Sequence, residues 1–155
     1  MKATFAAGCF WGIEEEFSRI PGVLSTRVGY TGGAKPEPGY REVCTGSTGH
    51  AEAVEIEFDG SVIPFGGLLD VFWRLHDPTT LNRQGPDVGT QYRSAIFYHG
   101  EEQKREALAS KDREAASGRH KRPVVTEVTA ASPFWPAEEY HQRYLAKRGL
   151  PGCHL

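Results

Sequence analysis

The sequence predicts an α+β fold, a two-layer sandwich in which a mixed sheet surrounds a split β-α-β (ferredoxin-like) core. Three observations carry this. Hydrophobic periods of two and of 3.6 residues alternate in the order β, α, β, β, α, β, α, β, α. The second and third strands follow one another with no helix between them, which argues against a doubly wound parallel sheet. No repeat, linker or low-complexity segment divides the chain, so 1–155 reads as a single domain, and at 39% hydrophobic residues it has enough apolar material for a core.

Each element has its own signal. Residues 3–7 are short, apolar and bounded by Gly8, as a buried strand is. Phe10, Ile13, Phe17 and Ile20 then recur at helical spacing until Pro21-Gly22 stops them, with Glu14, Glu15 and Glu16 in the first turns. Residues 23–30 read as a strand running into a turn-rich loop, and 40–50 as more loop, because glycines punctuate a polar stretch. Over 51–58 Val54, Ile56 and Phe58 share one face and Glu55 and Glu57 the other, and Glu52 starts the apolar row. Leu68, Leu69, Phe72, Trp73 and Leu75 make the stripe of a helix over 65–76, which Pro78 follows. Residues 77–92 have no period and predict a long ordered loop, a kind of segment that is often functional. A strand over 93–98, a charged surface helix over 101–117, a strand over 124–129 and a helix over 137–148 complete the domain. A Gly/Pro-bearing tail over 149–155 is expected to be mobile.

Composition narrows the function. Net charge is −2, which leaves no basic footprint for nucleic acid, and no stretch has the length of a membrane span or the pattern of a secretory leader. A soluble, cytoplasmic monomer is expected. The cluster Arg119-His120-Lys121-Arg122 reads as a solvated face. Three cysteines, none spaced Cys-x-x-Cys, are too few for a disulfide scaffold.

That directs attention to Gly8-Cys9-Phe10-Trp11-Gly12, at the switch from strand to helix. At a helix N-terminus the exposed backbone N–H groups and the positive dipole end favour a thiolate. On spacing alone Cys9 reads equally as a small buried hydrophobe. The adjacent aromatics tilt the balance. Side chains one position apart on a helix diverge, so Phe10 and Trp11 do not fill one core niche together and are expected to form an apolar lip beside the thiol.

Five blocks in this order resemble the peptide methionine sulfoxide reductases of the A type: Gly8-Cys9-Phe10-Trp11-Gly12 with Glu14-Glu15; Gly29-Tyr30-Thr31-Gly32-Gly33; Thr48-Gly49-His50-Ala51-Glu52-Ala53-Val54; the stretch from His76-Asp77-Pro78 through Asp87 to Gln91-Tyr92-Arg93-Ser94; and Phe134-Trp135-Pro136-Ala137-Glu138-Glu139-Tyr140-His141. The resemblance implies reduction of the S epimer of methionine sulfoxide, free or in oxidised proteins, with no cofactor and no metal. It makes Cys9 the nucleophile, Glu52 the acid that protonates the sulfoxide oxygen, and Phe10 and Trp11 the walls around the substrate's methyl group. Tyr40 and Tyr92 match the phenols near that oxygen, and Asp87 the supporting aspartate. Cys9 would be left as a sulfenic acid, which a second thiol must condense with. Cys153 in the tail is the expected partner, Cys44 the other candidate, and thioredoxin the reductant of the resulting disulfide.

Rival readings use the same residues. A cysteine hydrolase would pair Cys9 with His50, His76 or His141. A zinc site would draw on Cys9, Cys44, Cys153 and His154, spacings that fit no familiar zinc pattern. A peptide-binding module would keep the two aromatics and give Cys9 no task.

Overall fold

The structure is a computed structural model and describes residues 1–147. The tail over 149–155, and with it Cys153, lies outside the described residues. Five strands build the body of the main sheet: β1 (Lys2–Ala7), β2 (Val23–Thr31), β3 (Ala51–Phe58), β6 (Ser94–Tyr98) and β7 (Glu127–Ala130). The short β8 (Trp135–Pro136) completes the order β7-β6-β1-β3-β2-β8. All neighbours are antiparallel except β6 and β7, so the sheet is mixed. Helix α1 (Phe10–Ser18) carries the chain from β1 to β2 across β3, and α3 (Phe65–Leu75) carries it from β3 to β6 across β1. These two crossings are the split β-α-β units that the order of periods predicts.

Side-chain alternation decides which face the helices cover. Phe5 of β1 stacks on Phe17 of α1 (5.3 Å) and on Phe65 and Phe72 of α3 (6.0 and 5.2 Å between centroids). Val54, Ile56 and Phe58 of β3 join that cluster, fully or almost fully buried. Each such aromatic stabilises the fold by roughly 1.5–3 kcal/mol. The opposite face is small: Ala6, Ala51, Ala53, Ala95 and Phe97 lie there, with Phe134 packed over them.

Four segments differ from the expectation. Helix α4 (Glu101–Ala116) is amphipathic in an unexpected sense, since the residues it buries are Gln103, Ala107, Ser110 and Glu114. Its polar inner face is satisfied in detail: Gln103 Nε2 donates to the Lys2 carbonyl and Ser110 Oγ accepts from Trp73 Nε1. The stretch 40–50, which reads as loop in the sequence, opens with a helical turn, α2 (Tyr40–Cys44), capped by Glu42 Oε1 accepting from Gly39 N–H at 3.1 Å. The segment 77–92 is irregular but contains a minimal hairpin, β4 (Arg83–Gln84) with β5 (Asp87–Val88), and a 3-10 turn at Thr90–Tyr92. Gln84 pins it, accepting from Asp77 N–H at 2.7 Å and donating to the Asp77 carbonyl at 2.9 Å.

The expected helix over 137–148 is not continuous. It is replaced by β8, a 3-10 turn at Glu139–His141 and the single turn α5 (Tyr144–Lys147). The physical reason is Gln142. Its amide accepts from Val28 N–H and donates to the Val28 carbonyl, acting as a strand partner to β2. Arg143 follows at φ 52, a conformation no helix interior tolerates, and its N–H reaches Glu14 Oε1 at 2.7 Å. Tertiary hydrogen bonds therefore override a helical period. At Gly29 a Cβ would press into the Trp135 carbonyl, so β8 can pair there only against glycine.

Candidate active site

Cys9 is the N-cap of α1, as its position after a strand predicts, and is partly exposed. Gly8 makes the turn possible. It sits at φ 97, and a Cβ there would come within 2.8 Å of Gln84 Cγ. One residue on, the N–H of Phe10 is a donor that α1 cannot satisfy internally. Glu52 Oε1 accepts it at 3.3 Å. The first carboxylate of the apolar row on β3 is thereby held beside the backbone that carries the thiol.

Glu52 is 2% exposed. Its Oε2 is buried with no hydrogen-bond partner among the described residues. Burial pushes its pKa up to about 8; the Phe10 N–H opposes this and the charge of Asp87 adds to it. At neutral pH the carboxyl is protonated. Asp87, in the hairpin of the irregular segment, reaches the site through that repulsion, which Tyr92 also feels.

Tyr40 opens α2, and its phenol is hydrogen-bonded to the Cys44 thiol one turn along. Tyr92 closes the 3-10 turn, and its hydroxyl makes no hydrogen bond among the described residues. Both phenols are pushed up, first by burial; Glu52 and Cys44 act on both, and Asp87 and Cys9 act on Tyr92 as well. Cys44 is exposed and also raised, by burial of its sulfur and by Glu52 and Glu138, against the Tyr40 bond. Glu52, Tyr40, Tyr92, Asp87, Cys9 and Cys44 thus share one electrostatic neighbourhood.

The two aromatics part company. Phe10 is 1% exposed, among Tyr30 (5.8 Å) and His141 (5.2 Å), so the expected lip consists of Trp11 alone. Divergence of neighbouring helical side chains is the reason: one ring goes into the core and the other stays at the surface. Trp11 is partly buried, stacks on Tyr144 at 3.9 Å, and donates its Nε1–H to His141 Nδ1 at 2.9 Å. That bond makes His141 the Nε2–H tautomer, with Nε2 buried and lacking a partner among the described residues.

Sequence reasoning gave no role to Tyr30 or Glu138. Tyr30 is fully buried and donates to Glu138 Oε1 at 2.8 Å, while Glu138 Oε2 accepts from Tyr40 N–H at 3.1 Å. Glu138 is what joins β2, α2 and the C-terminal segment around the aromatics. The prior signals were their places in two of the five blocks and, for Glu138, the polar pair Glu138-Glu139 inside a run of aromatics.

The three histidines proposed as bases for a hydrolase are engaged elsewhere. His50 accepts from Gly33 N–H and pairs with the Lys35 carbonyl. His76 pairs with the Phe72 carbonyl and Ser94 Oγ, and burial lowers its pKa to about 4. His141 holds Trp11. Among the described residues no group of three or more His, Cys, Asp or Glu is arranged to hold a metal ion, and no helix is long and apolar enough to cross a membrane.

Comparison with known proteins bears on the same residues. The profile of the family described as "Peptide methionine sulfoxide reductase" matches residues 1–155. The peptide methionine sulfoxide reductase MsrA of Geobacter sulfurreducens is 61% identical over 152 residues, which are 98% of this chain and 94% of that protein. Among solved structures, Mxr1 from Saccharomyces cerevisiae in reduced form superposes with a TM-score of 0.91 at 35% identity, covering 100% of this chain and 91% of the other. Mxr1 in complex with Trx2 has the same fold with a TM-score of 0.65 at 24% identity, over 93% of this chain and 84% of that one.

Proposed function

The chain belongs to the peptide methionine sulfoxide reductase family and reduces methionine sulfoxide; from that premise we propose how its own residues do so. The Cys9 thiolate attacks the sulfoxide sulfur while the protonated Glu52 gives its proton to the sulfoxide oxygen, a poor leaving group until it is neutralised. The Tyr92 hydroxyl, and the Tyr40 hydroxyl once it leaves Cys44, hydrogen-bond the same oxygen; both phenols share the electrostatic neighbourhood of Glu52. Trp11, steadied by His141 and Tyr144, lies along the substrate's methyl group, and Phe10 closes that pocket from beneath. Burial keeps Glu52 protonated, and like-charge repulsion from Asp87 adds to it. The resemblance to the A-type reductases implies the S epimer as the substrate.

The steps balance. Sulfoxide and thiol give methionine and a Cys9 sulfenic acid; the sulfenic acid and a second thiol give a disulfide and water. Cys153 is the proposed second thiol. A dithiol protein, thioredoxin, then reduces the disulfide; the complex of Mxr1 with Trx2 supports this choice of reductant. The observation that carries the reading is a carboxyl only 2% exposed, one oxygen without a partner among the described residues and the other hydrogen-bonded to the residue next to Cys9.

Cys44 supports a second reading of the recycling step only, because its thiol is bonded to Tyr40 inside the same neighbourhood. One experiment separates the two. The reduced protein receives one equivalent of methionine sulfoxide, resolved into epimers, and its disulfides are mapped by mass spectrometry. Loss of the S epimer alone with a Cys9–Cys153 bridge is expected. A Cys9–Cys44 bridge moves the resolving role to Cys44, and consumption of neither epimer rejects the mechanism.

A further inference from the structure

Cys9 also lines a groove of about 850 Å³, together with Arg74, Arg83, Arg119, Lys121 and Arg122 among others. It brings together three segments distant in sequence: the C-terminal turn of α3, the hairpin of 77–92 and the turn after α4. The cluster Arg119-His120-Lys121-Arg122, read from sequence as a solvated face, is solvated, but it forms one wall of a groove that the nucleophile shares.

Its charge is only partly neutralised. The buried Glu114 takes Arg119 and, at 2.6 Å, His120. Asp77 is 3.4 Å from Arg122. Arg74, Arg83 and Lys121 are exposed and make no ion pair among the described residues. Arg83 is adjacent to Gln84, whose side chain packs against Gly8 and so fixes the hairpin beside Cys9.

We infer that this groove selects polypeptide substrates whose methionine sulfoxide is flanked by aspartate or glutamate; the inference rests on Cys9 being the reductase nucleophile. The reason is reach. A methionine sulfur lies about 4 Å from its Cα, three single bonds away. For that sulfur to meet Cys9, the substrate backbone must pass within a side chain's length of the groove wall. Residues one to three places away then fall within ~3.5–11 Å along the chain, over the arginines and Lys121. Acidic side chains there neutralise the three unmatched cations, and basic ones add to them. N-acetylmethionine sulfoxide amide has neither flanking side chains nor a charge and does not sense the groove.

The test compares peptides of equal length in which methionine sulfoxide is flanked by two Asp on each side, by two Lys or by two Ser, together with N-acetylmethionine sulfoxide amide. Dithiothreitol serves as reductant, so that no protein partner competes. The Asp peptide is expected to exceed the Lys peptide in kcat/KM by about five- to tenfold at low salt, since each exposed pair is worth little, and the gap closes at about 0.5 M salt. In the Arg83→Glu, Lys121→Glu double variant the order equalises or reverses, while kcat/KM on the blocked amino acid stays within about twofold. Anisotropy of a fluorescent Asp-flanked peptide carrying ordinary methionine reads the same preference without turnover. Equal rates for the three peptides, or a preference that survives the double variant, overturns the inference. So does a variant that handles every peptide normally but slows when thioredoxin replaces dithiothreitol, which would give the groove to the reductant. A blocked amino acid that is not reduced at all rejects the reductase mechanism instead, and the anisotropy then judges the groove by itself.

Discussion

Glu52 on β3 and Glu114 on α4 are both nearly hidden from solvent, at 2% and 3% exposure, and their surroundings push them in opposite directions. Burial raises both. Around Glu114 the hydrogen bonds from Arg119 and His120 outweigh it and hold the carboxyl below the usual range. Around Glu52 there is one backbone N–H and, instead of a cation, the negative Asp87, so the carboxyl is carried up to about 8. One region uses a buried carboxylate as a latch, tying the turn after α4 to the domain. The other keeps a buried carboxylic acid. What separates a structural carboxyl from a reactive one is the partner set, not the depth of burial.

The sharpest way to break this contrast is chemical. Glu52→Gln keeps the shape and the Phe10 hydrogen bond but has no proton to give, and kcat/KM should fall about 10²–10⁴-fold, the usual worth of a general acid, in steady-state assays with dithiothreitol. Glu114→Gln should leave kcat/KM on free methionine sulfoxide near that of the wild type. Stability gives the next largest effect. Between about pH 4.5 and about 8 the unfolded chain has lost the Glu52 proton that the folded chain keeps, so burial of Glu52 weakens the fold as pH rises through that window. Glu52→Gln should therefore be more stable than the wild type at pH 8, by ~4 kcal/mol in urea unfolding, and should lose this advantage by about pH 4.

A third variant converts one region into the other. Arg119→Met with His120→Phe strips Glu114 of its partners. In the wild type the Glu114 contribution is present above its ordinary pKa of 4.5 and lost as pH falls below it. In the double variant the carboxyl is raised instead, so its contribution should fall as pH rises, which urea midpoints will report as a steeper decline above pH 4.5 than the wild type shows. The smallest effect belongs to Trp11. His141→Phe removes the acceptor of the indole N–H, worth about 1 kcal/mol, and should raise KM for methionine sulfoxide about fivefold with little change in kcat.

Much of the architecture was legible because it is written in period. The alternation over 51–58 placed Glu52 on the helix-facing side of β3, and the glycine before Cys9 placed the thiol at the N-cap of α1. Residues 137–148 were misread because Gln142 and Arg143 are held by Val28 and Glu14, more than a hundred residues away in sequence, and no local period records such partners. Phe10 was misread for a related reason. That adjacent rings diverge is local, but which of them enters the core depends on Tyr30 and His141. The ionisation of Glu52 was legible as an apolar row and nothing more; the repulsion from Asp87 needs the fold of 77–92. The basic run at 119–122 was legible as charge, and its place in one groove with Arg83 and Cys9 was not.

The account depends on Glu52 being uncharged at neutral pH, and infrared difference spectroscopy of wild type against Glu52→Gln reads that state directly. A protonated carboxyl C=O band that persists at pH 7 and disappears with a midpoint near 8, in step with the alkaline fall in kcat/KM, is the predicted result. A band already lost by pH 5, with activity unchanged from pH 7 to 9, would contradict it.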